Sequence, residues 1–492
     1  MSQDLLKAFR AARRVSTPLV AIRTPDPAAT MALVLGSFNG SAPAVLRWDI
    51  VNGLVGLNDP GSTAATAVAG PDPAISTGNP VEALTAAAKL PASSVLFLLN
   101  AHRFLDNEAV AQAAWNLRDL YKADSRTLVL LCPALTLPAE LANDVLVLDE
   151  PLPAEEQLAD IVRGTYEAAQ LDDPLDDVVT KAVDALAGLA AFPAEQVCAM
   201  SLAREGLLLD ELWERKRQMI EQTPGLSVWR GGETFSQIGG VENAKSFLRR
   251  VLTGGQPPRA IVFIDEIEKA MGGQGDTSGV SQSLLGTLLT WMQDNQATGI
   301  ICIGPPGAAK SALAKAAGNE AGIPTIAFDL TGMKGSLVGE SEQRLRSALK
   351  VVSAVSQGKT LFIATCNSIA ILPPELRRRF SFGTFYFDLP DASERQTIWA
   401  LYITRYALPE QALPQDEGWT GAEIRQACDL AWRLNCSLVE AASYIVPVSR
   451  SAADQIERLR SEANGRFISA SYPGVYTQSR TSTGARTISL EE

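Results

Sequence analysis

The sequence is poor in the residues that build metal centres and covalent cross-links. Its 492 residues include a single histidine, His102, and six cysteines, at positions 132, 198, 302, 366, 428 and 436. No two of these cysteines have the close spacing of zinc ligands, so no structural zinc site is expected. Several lie within apolar runs, which predicts buried, unpaired thiols in a reducing compartment.

Long apolar runs are also absent. No stretch of about 18 apolar residues occurs, so no membrane span is expected. The N-terminal segment MSQDLLKAFRAARR begins an amphipathic basic helix and lacks the apolar centre of a secretion signal, which predicts a cytoplasmic protein. Acidic residues outnumber basic ones by 55 to 43, and the net charge of −12 argues against nucleic acid as the main partner.

The first half of the chain predicts an α/β domain followed by helices. Residues 1–152 alternate short apolar runs with helical stretches, the pattern of a parallel sheet covered by helices. Residues 56–80, rich in glycine, proline, serine, threonine and alanine, predict a mobile loop. Residues 153–225 predict a small helical domain, with one long helical linker as the alternative. The five predicted strands are residues 18–24, 44–50, 93–100, 126–133 and 144–151.

The same plan recurs after a glycine-rich joint at residues 223–240. Residues 226–390 predict a second α/β domain, and residues 391–450 predict a second set of helices that closes it. Residues 451–492 predict a C-terminal helix and, beyond about residue 468, a polar flexible tail. The five further predicted strands are residues 261–265, 299–304, 325–329, 360–367 and 385–390.

A glycine-rich segment, GPPGAAKS at Gly304–Ser311, lies between a predicted strand and a predicted helix. In that context backbone N–H groups turn inward around phosphate oxygens, and the helix N-terminus adds partial positive charge. We expect Lys310 to reach the β and γ phosphates and Ser311 to bind magnesium. Ala309 replaces the usual glycine before the lysine, which costs about 1 kcal/mol if its φ is positive. The predicted nucleotide-binding residues here are Gly304, Pro305, Pro306, Gly307, Ala308, Ala309, Lys310, Ser311 and Ala312.

A site that hydrolyses ATP also needs a carboxylate near magnesium and a base for the attacking water. The apolar strand in AIVFIDEIEK (260–269) ends in two acids, which predicts Asp265 near the metal and Glu266 as the base. The strands that end at Asp329 and Asp388 have no second acid. The chosen strand precedes the phosphate loop, whereas in most such proteins it follows. Because a strand and its helix form a self-contained unit, relocating them can leave the strand order of the sheet unchanged.

Further segments resemble motifs of the AAA family of ATPases, and the resemblance covers about residues 231–450. In detail the chain is most similar to the proteins of a hypothetical chloroplast and cyanobacterial reading frame in that family, which also have a degenerate N-terminal unit. The chain departs from them in one respect, because residues 259–298 are transposed ahead of the phosphate loop. The segments that carry the resemblance are FSQIGGVENAK (235–245), GSLVGESEQRLRSAL (335–349), TLFIATCN (360–367), LPPELRRRF (372–380) and GWTGAEIRQAC (418–428).

The resemblance implies roles for residues outside the phosphate loop. Ile238 and Gly239 would lie near adenine, and Asn367 would act as the polar sensor of the γ phosphate. The second sensor helix in the helical lid would contribute Gly421, Ala422 and Arg425.

The resemblance also implies contacts with other chains. Arg378 and Arg379 would reach the ATP of a neighbouring subunit, where a guanidinium stabilises charge on the transferred phosphoryl group. Leu337 and Val338 would form the tip of a pore loop. Many family members carry an aromatic residue at this tip, and the aliphatic pair offers less contact area to a threaded polypeptide.

The predicted fold class is therefore α/β: an ATPase sheet with a helical lid, preceded by a degenerate unit of the same plan. The earlier unit lacks nucleotide chemistry, since TPDPAAT (24–30) has no lysine and the segment Asn100–His102 has no carboxylate pair. The resemblance implies a homo-oligomeric, hexameric ring that uses ATP and Mg²⁺ to remodel a protein partner. Two alternatives stay open: an ATP-gated switch or adaptor that does not thread its partner, and a structural ring with little turnover.

Overall fold

The computed structural model describes residues 3–38, 42–133, 135, 137–270, 280–333, 340–369 and 373–478. The chain divides into two compact units, Met1–Leu212 and Trp213–Glu492. Among the described helices, none has both the length and the apolar character that a membrane crossing requires. The predicted α/β fold class is confirmed.

The first unit is built on a six-stranded sheet in which only one pair of strands is antiparallel. Its strands are β1 (Leu19–Arg23), β2 (Val45–Asp49), β3 (Gly53–Gly56), β4 (Val95–Leu99), β5 (Thr127–Cys132) and β6 (Leu146–Asp149). They lie in the order β3-β2-β4-β5-β1-β6, and the antiparallel pair is β2 and β3. All five predicted strands of this unit are present, and β3 is an addition.

Helices cover this sheet and continue beyond it. They are α1 (Gln3–Arg14), α2 (Pro27–Gly36), α3 (Asp59–Ala69), α4 (Pro73–Thr77), α5 (Pro80–Ala87), α6 (Glu108–Ala123), α7 (Glu155–Ala168), α8 (Asp176–Leu186) and α9 (Ala191–Met200). A short hairpin, β7 (Leu202–Ala203) and β8 (Gly206–Leu207), precedes α10 (Leu209–Glu221).

The prediction of a mobile loop at residues 56–80 is wrong, because this stretch forms α3, α4 and the start of α5. Each of these helices has an N-cap whose side chain accepts a backbone N–H, namely Asn58, Asp72 and Asn79, and a proline in its first turn. Such caps satisfy N–H groups that a helix end leaves free, and proline fits the first turn. The residues that suggested a loop are therefore helix starts.

The second unit has a seven-stranded sheet. Its strands are β9 (Leu226–Val228), β10 (Ala260–Ile264), β11 (Thr298–Ile303), β12 (Thr325–Phe328), β13 (Thr360–Cys366), β14 (Thr384–Tyr386) and β15 (Ile468–Ser469). The order is β15-β14-β11-β13-β10-β12-β9, and β9 alone runs antiparallel to its neighbour. The sequence does not predict β3 or β9, since strands of three or four residues beside glycine are too short to show alternation.

The helices of the second unit are α11 (Glu242–Thr253), α12 (Ile267–Ala270), α13 (Val280–Asp294), α14 (Lys310–Ala321), α15 (Glu340–Ser356), α16 (Pro374–Arg379), α17 (Ala392–Arg405), α18 (Gly421–Leu434), α19 (Leu438–Ala442), α20 (Val448–Ser451) and α21 (Ala453–Ala463). Alternate residues of β10 enter two different core clusters: Val262 and Ile264 on one face, Ile261 and Phe263 on the other. A strand buried on both faces has its register fixed by packing on each side. The residues that follow β10 are thereby held at the carboxyl edge of the sheet.

The stretch at residues 468–478 is docked, so the expectation of a loose tail from residue 468 onward does not hold there. Strand β15 extends the sheet beside β14. The Tyr476 hydroxyl donates a hydrogen bond to Asp388 (2.7 Å), and Arg460 of α21 donates to the same carboxylate (2.8 Å). Residues 479–492 lie outside the described part of the chain.

All six cysteines are unpaired, and five of them are buried, which agrees with the prediction of free thiols. Burial raises the pKa of Cys132 to about 11 and that of Cys302 to about 12. Desolvation disfavours the charged thiolate in an apolar core. The sixth thiol, Cys436, is partly exposed.

Candidate functional site

The segment between β11 and α14 forms a tight loop with glycine at two crowded positions. A Cβ on Gly304 would lie 2.1 Å from the carbonyl oxygen of Phe387, and a Cβ on Gly307 would lie 2.9 Å from Thr420 Oγ1. Gly307 also has a φ of 82°, which favours glycine. Helix α14 begins at Lys310, at the end of this loop. The loop therefore has the close backbone approach and the helix N-terminus that an anion site requires.

Ala309 has φ 65° and ψ 6°, which is the left-handed conformation that favours glycine. An alanine in this region is destabilised by about 1 kcal/mol relative to glycine. The loop keeps this strain next to Lys310, at the point where α14 begins.

We expect Ala309→Gly to raise the thermal unfolding midpoint of the second unit by about 1–3 °C, as relief of about 0.5–1 kcal/mol of strain would give. Ala321→Gly, at the right-handed C-terminal end of the same helix, is the matched control and should lower the midpoint. Differential scanning calorimetry measures both variants. A lower midpoint for Ala309→Gly would show that the loop gains nothing from glycine.

Lys310 is buried, with 6% of its surface exposed. Its Nζ donates hydrogen bonds to the carbonyl oxygens of Gly304 and Pro305, both at 2.7 Å. Burial lowers the pKa of Lys310 to about 8, since desolvation penalises the ammonium. Among the described residues no carboxylate forms an ion pair with it. A phosphate group in the loop would supply the missing opposite charge.

Asp265 and Ser311 meet at the carboxyl edge of the sheet, although 46 residues separate them. Strands β10 and β11 both run parallel to β13, one on each side of it, so both end at the edge of the sheet where the phosphate loop begins. The Ser311 hydroxyl donates a hydrogen bond to Asp265 Oδ1 (2.8 Å). A hydroxyl and a carboxylate are the hard oxygen ligands that Mg²⁺ prefers. In the part of the chain that the structure describes, no group of three or more His, Cys, Asp or Glu could hold a metal alone. This donor set fits Mg²⁺, which commonly binds one or two carboxylates together with water and substrate phosphate.

Glu266 follows Asp265 in a left-handed conformation, with φ 48°. Its Oε1 accepts a hydrogen bond from Asn367 Nδ2 (3.2 Å), and its carboxylate forms an ion pair with Lys269. The contact with Glu266 raises the pKa of Lys269. Asn367 is held in turn by a hydrogen bond from its backbone N–H to Glu268 Oε1 (2.9 Å). The predicted base and the predicted sensor therefore lie in direct contact.

A cavity of about 420 Å³ joins these groups to the lid. Most of the sequence-predicted positions line it. They are Ile238, Gly239, Asp265, Glu266, Pro306, Gly307, Ala308, Ala309, Lys310, Ser311, Ala312, Asn367, Gly421, Ala422 and Arg425. Gly304 and Pro305 do not line it but accept the Lys310 hydrogen bonds behind it. Leu337 and Val338 lie outside the described residues.

Sequence reasoning missed a second wall of this cavity, on α17. Glu394, Ile398, Tyr402 and Arg405 all line the cavity, and they recur at helical spacing along one face of that helix. The spacing places these residues on one face of the helix, but the direction in which that face turns is set by tertiary packing. Thr365 on β13 also lines the cavity, but it lies inside an apolar strand sequence that gives no such pattern.

Arg378 and Arg379 end α16 and do not line the cavity of their own chain. Arg379 donates a hydrogen bond to Gln293 (2.6 Å).

In the first unit, the segment between β1 and α2 offers no phosphate cradle. It spans only residues 24–26, against residues 304–309 in the second unit. Asp26 caps α2 by accepting the N–H of Ala29 (3.0 Å), and Glu150 accepts a hydrogen bond from Thr30 (2.7 Å). Two carboxylates at this helix N-terminus oppose the binding of a phosphate. At the end of β4, Asn100 has φ 54°, similar to Glu266 after β10, but it is not an acid.

Family profiles match three successive segments of the chain. Residues 1–150 match the family profile "SpoVK-like AAA ATPase, N-terminal domain", and residues 156–223 match "SpoVK-like AAA ATPase, second domain". Residues 300–357 match the profile "ATPase family associated with various cellular activities (AAA)". Among solved structures, that of the FIGL-1 AAA domain has a TM-score of 0.31 and 16% sequence identity, covering 50% of this chain and 94% of that one.

Two curated relatives bear the name "Uncharacterized AAA domain-containing protein ycf46". The protein from Guillardia theta is 23% identical over 94% of this chain and 95% of its own length. The protein from Trieres chinensis is 25% identical over 78% of this chain and 79% of its own length. The first of these similarities runs through both units, and the three profile matches follow one another along the same chain, so the chain belongs to the AAA family of ATPases.

Proposed function

We propose that the second unit binds ATP with Mg²⁺ and hydrolyses it to ADP and phosphate. The observation that carries this proposal is the hydrogen bond between Ser311 and Asp265, beside the buried Lys310 and within the same cavity as Glu266. This arrangement combines the loop, the lysine, the metal ligands and the base that phosphoryl transfer to water needs. Bound Mg²⁺ would withdraw charge from the β and γ phosphates.

Each residue of the site has a distinct role in this proposal. Lys310 holds the charge of the terminal phosphates, and Glu266 takes a proton from the attacking water. Asn367, which already contacts Glu266, orients that water against the γ phosphate. Arg378 and Arg379 complete the site of the adjacent subunit.

The two sheets of the chain support the assignment of the acidic strand. The first sheet runs β6-β1-β5-β4-β2-β3, and the second, apart from the additional edge strand β15, runs β14-β11-β13-β10-β12-β9. In this alignment β11 corresponds to β1, and β10 corresponds to β4. In the first unit β4 follows β1 along the chain, whereas in the second unit β10 precedes β11. We infer that the segment carrying Asp265 and Glu266 has been transposed and returns to its place in the sheet.

We further propose that the chain works as a hexameric ring that remodels a protein partner. Membership of the AAA family supports an oligomer, because arginine residues of family members act on the nucleotide bound by a neighbouring subunit. An ATP-gated switch that does not thread its partner is the second candidate, and the aliphatic pair Leu337 and Val338 favours it.

The unpaired thiols support a reducing, cytoplasmic location.

Phosphate release is the test of this function. We expect hydrolysis that EDTA abolishes, and a specific activity that rises with protein concentration because the arginines act between subunits. Addition of an unfolded protein should accelerate turnover for a remodeller and leave it unchanged for the switch. Leu337→Ala should remove the acceleration and spare the basal rate. A wild-type protein that binds ATP but releases no phosphate at any concentration would refute the proposed hydrolysis.

A further inference from the structure

Thr365 lies beside the acidic pair, at the end of β13. Strands β10 and β13 are parallel neighbours, with Ile264 opposite Ala364, so Thr365 follows at the level of Asp265. Its side chain is buried, with 1% of the residue exposed, and it lines the cavity. Thr365 therefore lies next to Asp265 and Glu266, in a buried position on the wall of the cavity.

One hydroxyl group connects both acidic residues. Thr365 Oγ1 donates its proton to Asp265 Oδ1 (2.6 Å) and accepts the backbone N–H of Glu266 (2.9 Å). A threonine hydroxyl has one proton and two lone pairs, so the two bonds are compatible. Asp265 Oδ1 also accepts from Ser311, so the metal-ligand carboxylate is fixed from both sides.

The bond to Glu266 matters because of the backbone there. Glu266 has φ 48°, a conformation that residues with a Cβ rarely adopt. A partly buried N–H in such a turn is stabilised by an acceptor, and the Thr365 hydroxyl supplies it. Without that acceptor the turn would relax, and the carboxylate of Glu266 would leave Asn367.

We infer that Thr365 is a positioning residue that sets the metal-ligand carboxylate and the base together. The inference rests on the proposed ATP hydrolysis. Thr365 acts through Asp265 and Glu266, the two residues that its hydroxyl is bonded to. Supporting hydrogen bonds of this kind change metal affinity or activity by about 10- to 100-fold when removed.

The test compares Thr365→Val, which removes the hydroxyl at nearly constant volume, with Thr365→Ser, which keeps it. Thr360→Val is the matched control, because Thr360 is also a buried threonine of β13 with a hydroxyl bonded to Ser356 (2.7 Å), far from the cavity. For each protein, phosphate release gives kcat and KM, a Mg²⁺ titration gives the half-saturating concentration, and a fluorescent ATP analogue gives Kd with Mg²⁺ and with EDTA.

We expect Thr365→Val to lower kcat by about 10- to 100-fold and to raise the Mg²⁺ requirement for analogue binding about tenfold, with Kd in EDTA unchanged. Thr365→Ser and Thr360→Val should stay within about threefold of wild type. A Thr365→Val protein with normal kcat and Mg²⁺ requirement, or a Thr365→Ser protein as defective as Thr365→Val, would overturn the inference.

Two controls keep the result interpretable. If Thr365→Val does not fold by circular dichroism, Thr365→Ala removes the same hydroxyl and gives the same comparison with Thr365→Ser. If wild type proves inactive, the proposed hydrolysis fails, while the Mg²⁺ dependence of analogue binding still tests Thr365.

Discussion

Glu266→Gln will bind ATP with near wild-type affinity and hydrolyse it at least about 100-fold more slowly, the contribution expected of a general base. The amide has the shape of the carboxylate and can still accept the hydrogen bond from Asn367. It cannot take a proton from water, and it loses the ion pair with Lys269. Phosphate release under saturating ATP, together with analogue binding, measures the two effects separately.

Glu410→Gln is the matched control for this variant. Glu410 is an exposed residue in the segment between α17 and α18, away from the cavity, and its loss of charge should leave kcat unchanged. Substantial hydrolysis by Glu266→Gln would remove Glu266 from its role as base and direct attention to other acids of the cavity. A large loss of ATP binding would instead show that Glu266 holds the nucleotide.

Lys310→Met will weaken ATP binding by about 10- to 100-fold, because it removes a charge-assisted contact with the phosphates worth about 1.5–3 kcal/mol. The same substitution should not reduce the stability of the free protein. Within the described part of the chain the buried ammonium donates hydrogen bonds to two carbonyl groups and pairs with no carboxylate, and burial lowers its pKa because desolvation disfavours its charge. A loss of ATP affinity without a loss of thermal stability would therefore identify Lys310 as a functional residue and not a structural one.

Lys350→Met, on the exposed surface of α15, is the control for the loss of one positive charge. Isothermal titration calorimetry with ATP and Mg²⁺ gives the affinities, and calorimetric melting of the free proteins gives the stabilities. Unchanged ATP affinity in Lys310→Met would show that the loop does not place this lysine against phosphate. A strong loss of stability would assign the lysine a structural role.

The parts of the site that sequence reasoning found are those whose chemistry is local. A phosphate loop consists of neighbouring residues, so Lys310 and Ser311 can be recognised from one short segment. The pair Asp265 and Glu266 is local in the same way, at the end of one apolar strand. The contact between Asp265 and Ser311 depends on the order of strands in the sheet. The sequence predicts that order only as an expectation, because the acidic strand precedes the phosphate loop in the chain.

The parts that sequence reasoning missed depend on other kinds of information. Thr365 matters because β13 pairs with β10, and nothing within its apolar segment marks its hydroxyl. Ile398 and Tyr402 depend on which face of α17 turns toward the cavity. The helices at residues 59–87 were hidden by a glycine- and proline-rich composition, although Asn58 supplies an ordinary N-cap. In each case a tertiary contact, or the role of a single capping side chain, outweighs average composition.

The early place of β10 in the chain has a consequence for how the protein is made. During synthesis this buried strand leaves the ribosome before either of its partners, since β12 and β13 both follow the phosphate loop. Asp265 and Thr365, which become neighbours, are 100 residues apart. Until β12 has been translated, β10 is an apolar strand with two open edges, and one edge stays open until β13 follows. Such segments are prone to aggregate. An acidic strand placed ahead of both its partners therefore lengthens the interval in which the nascent chain exposes unpaired strand edges.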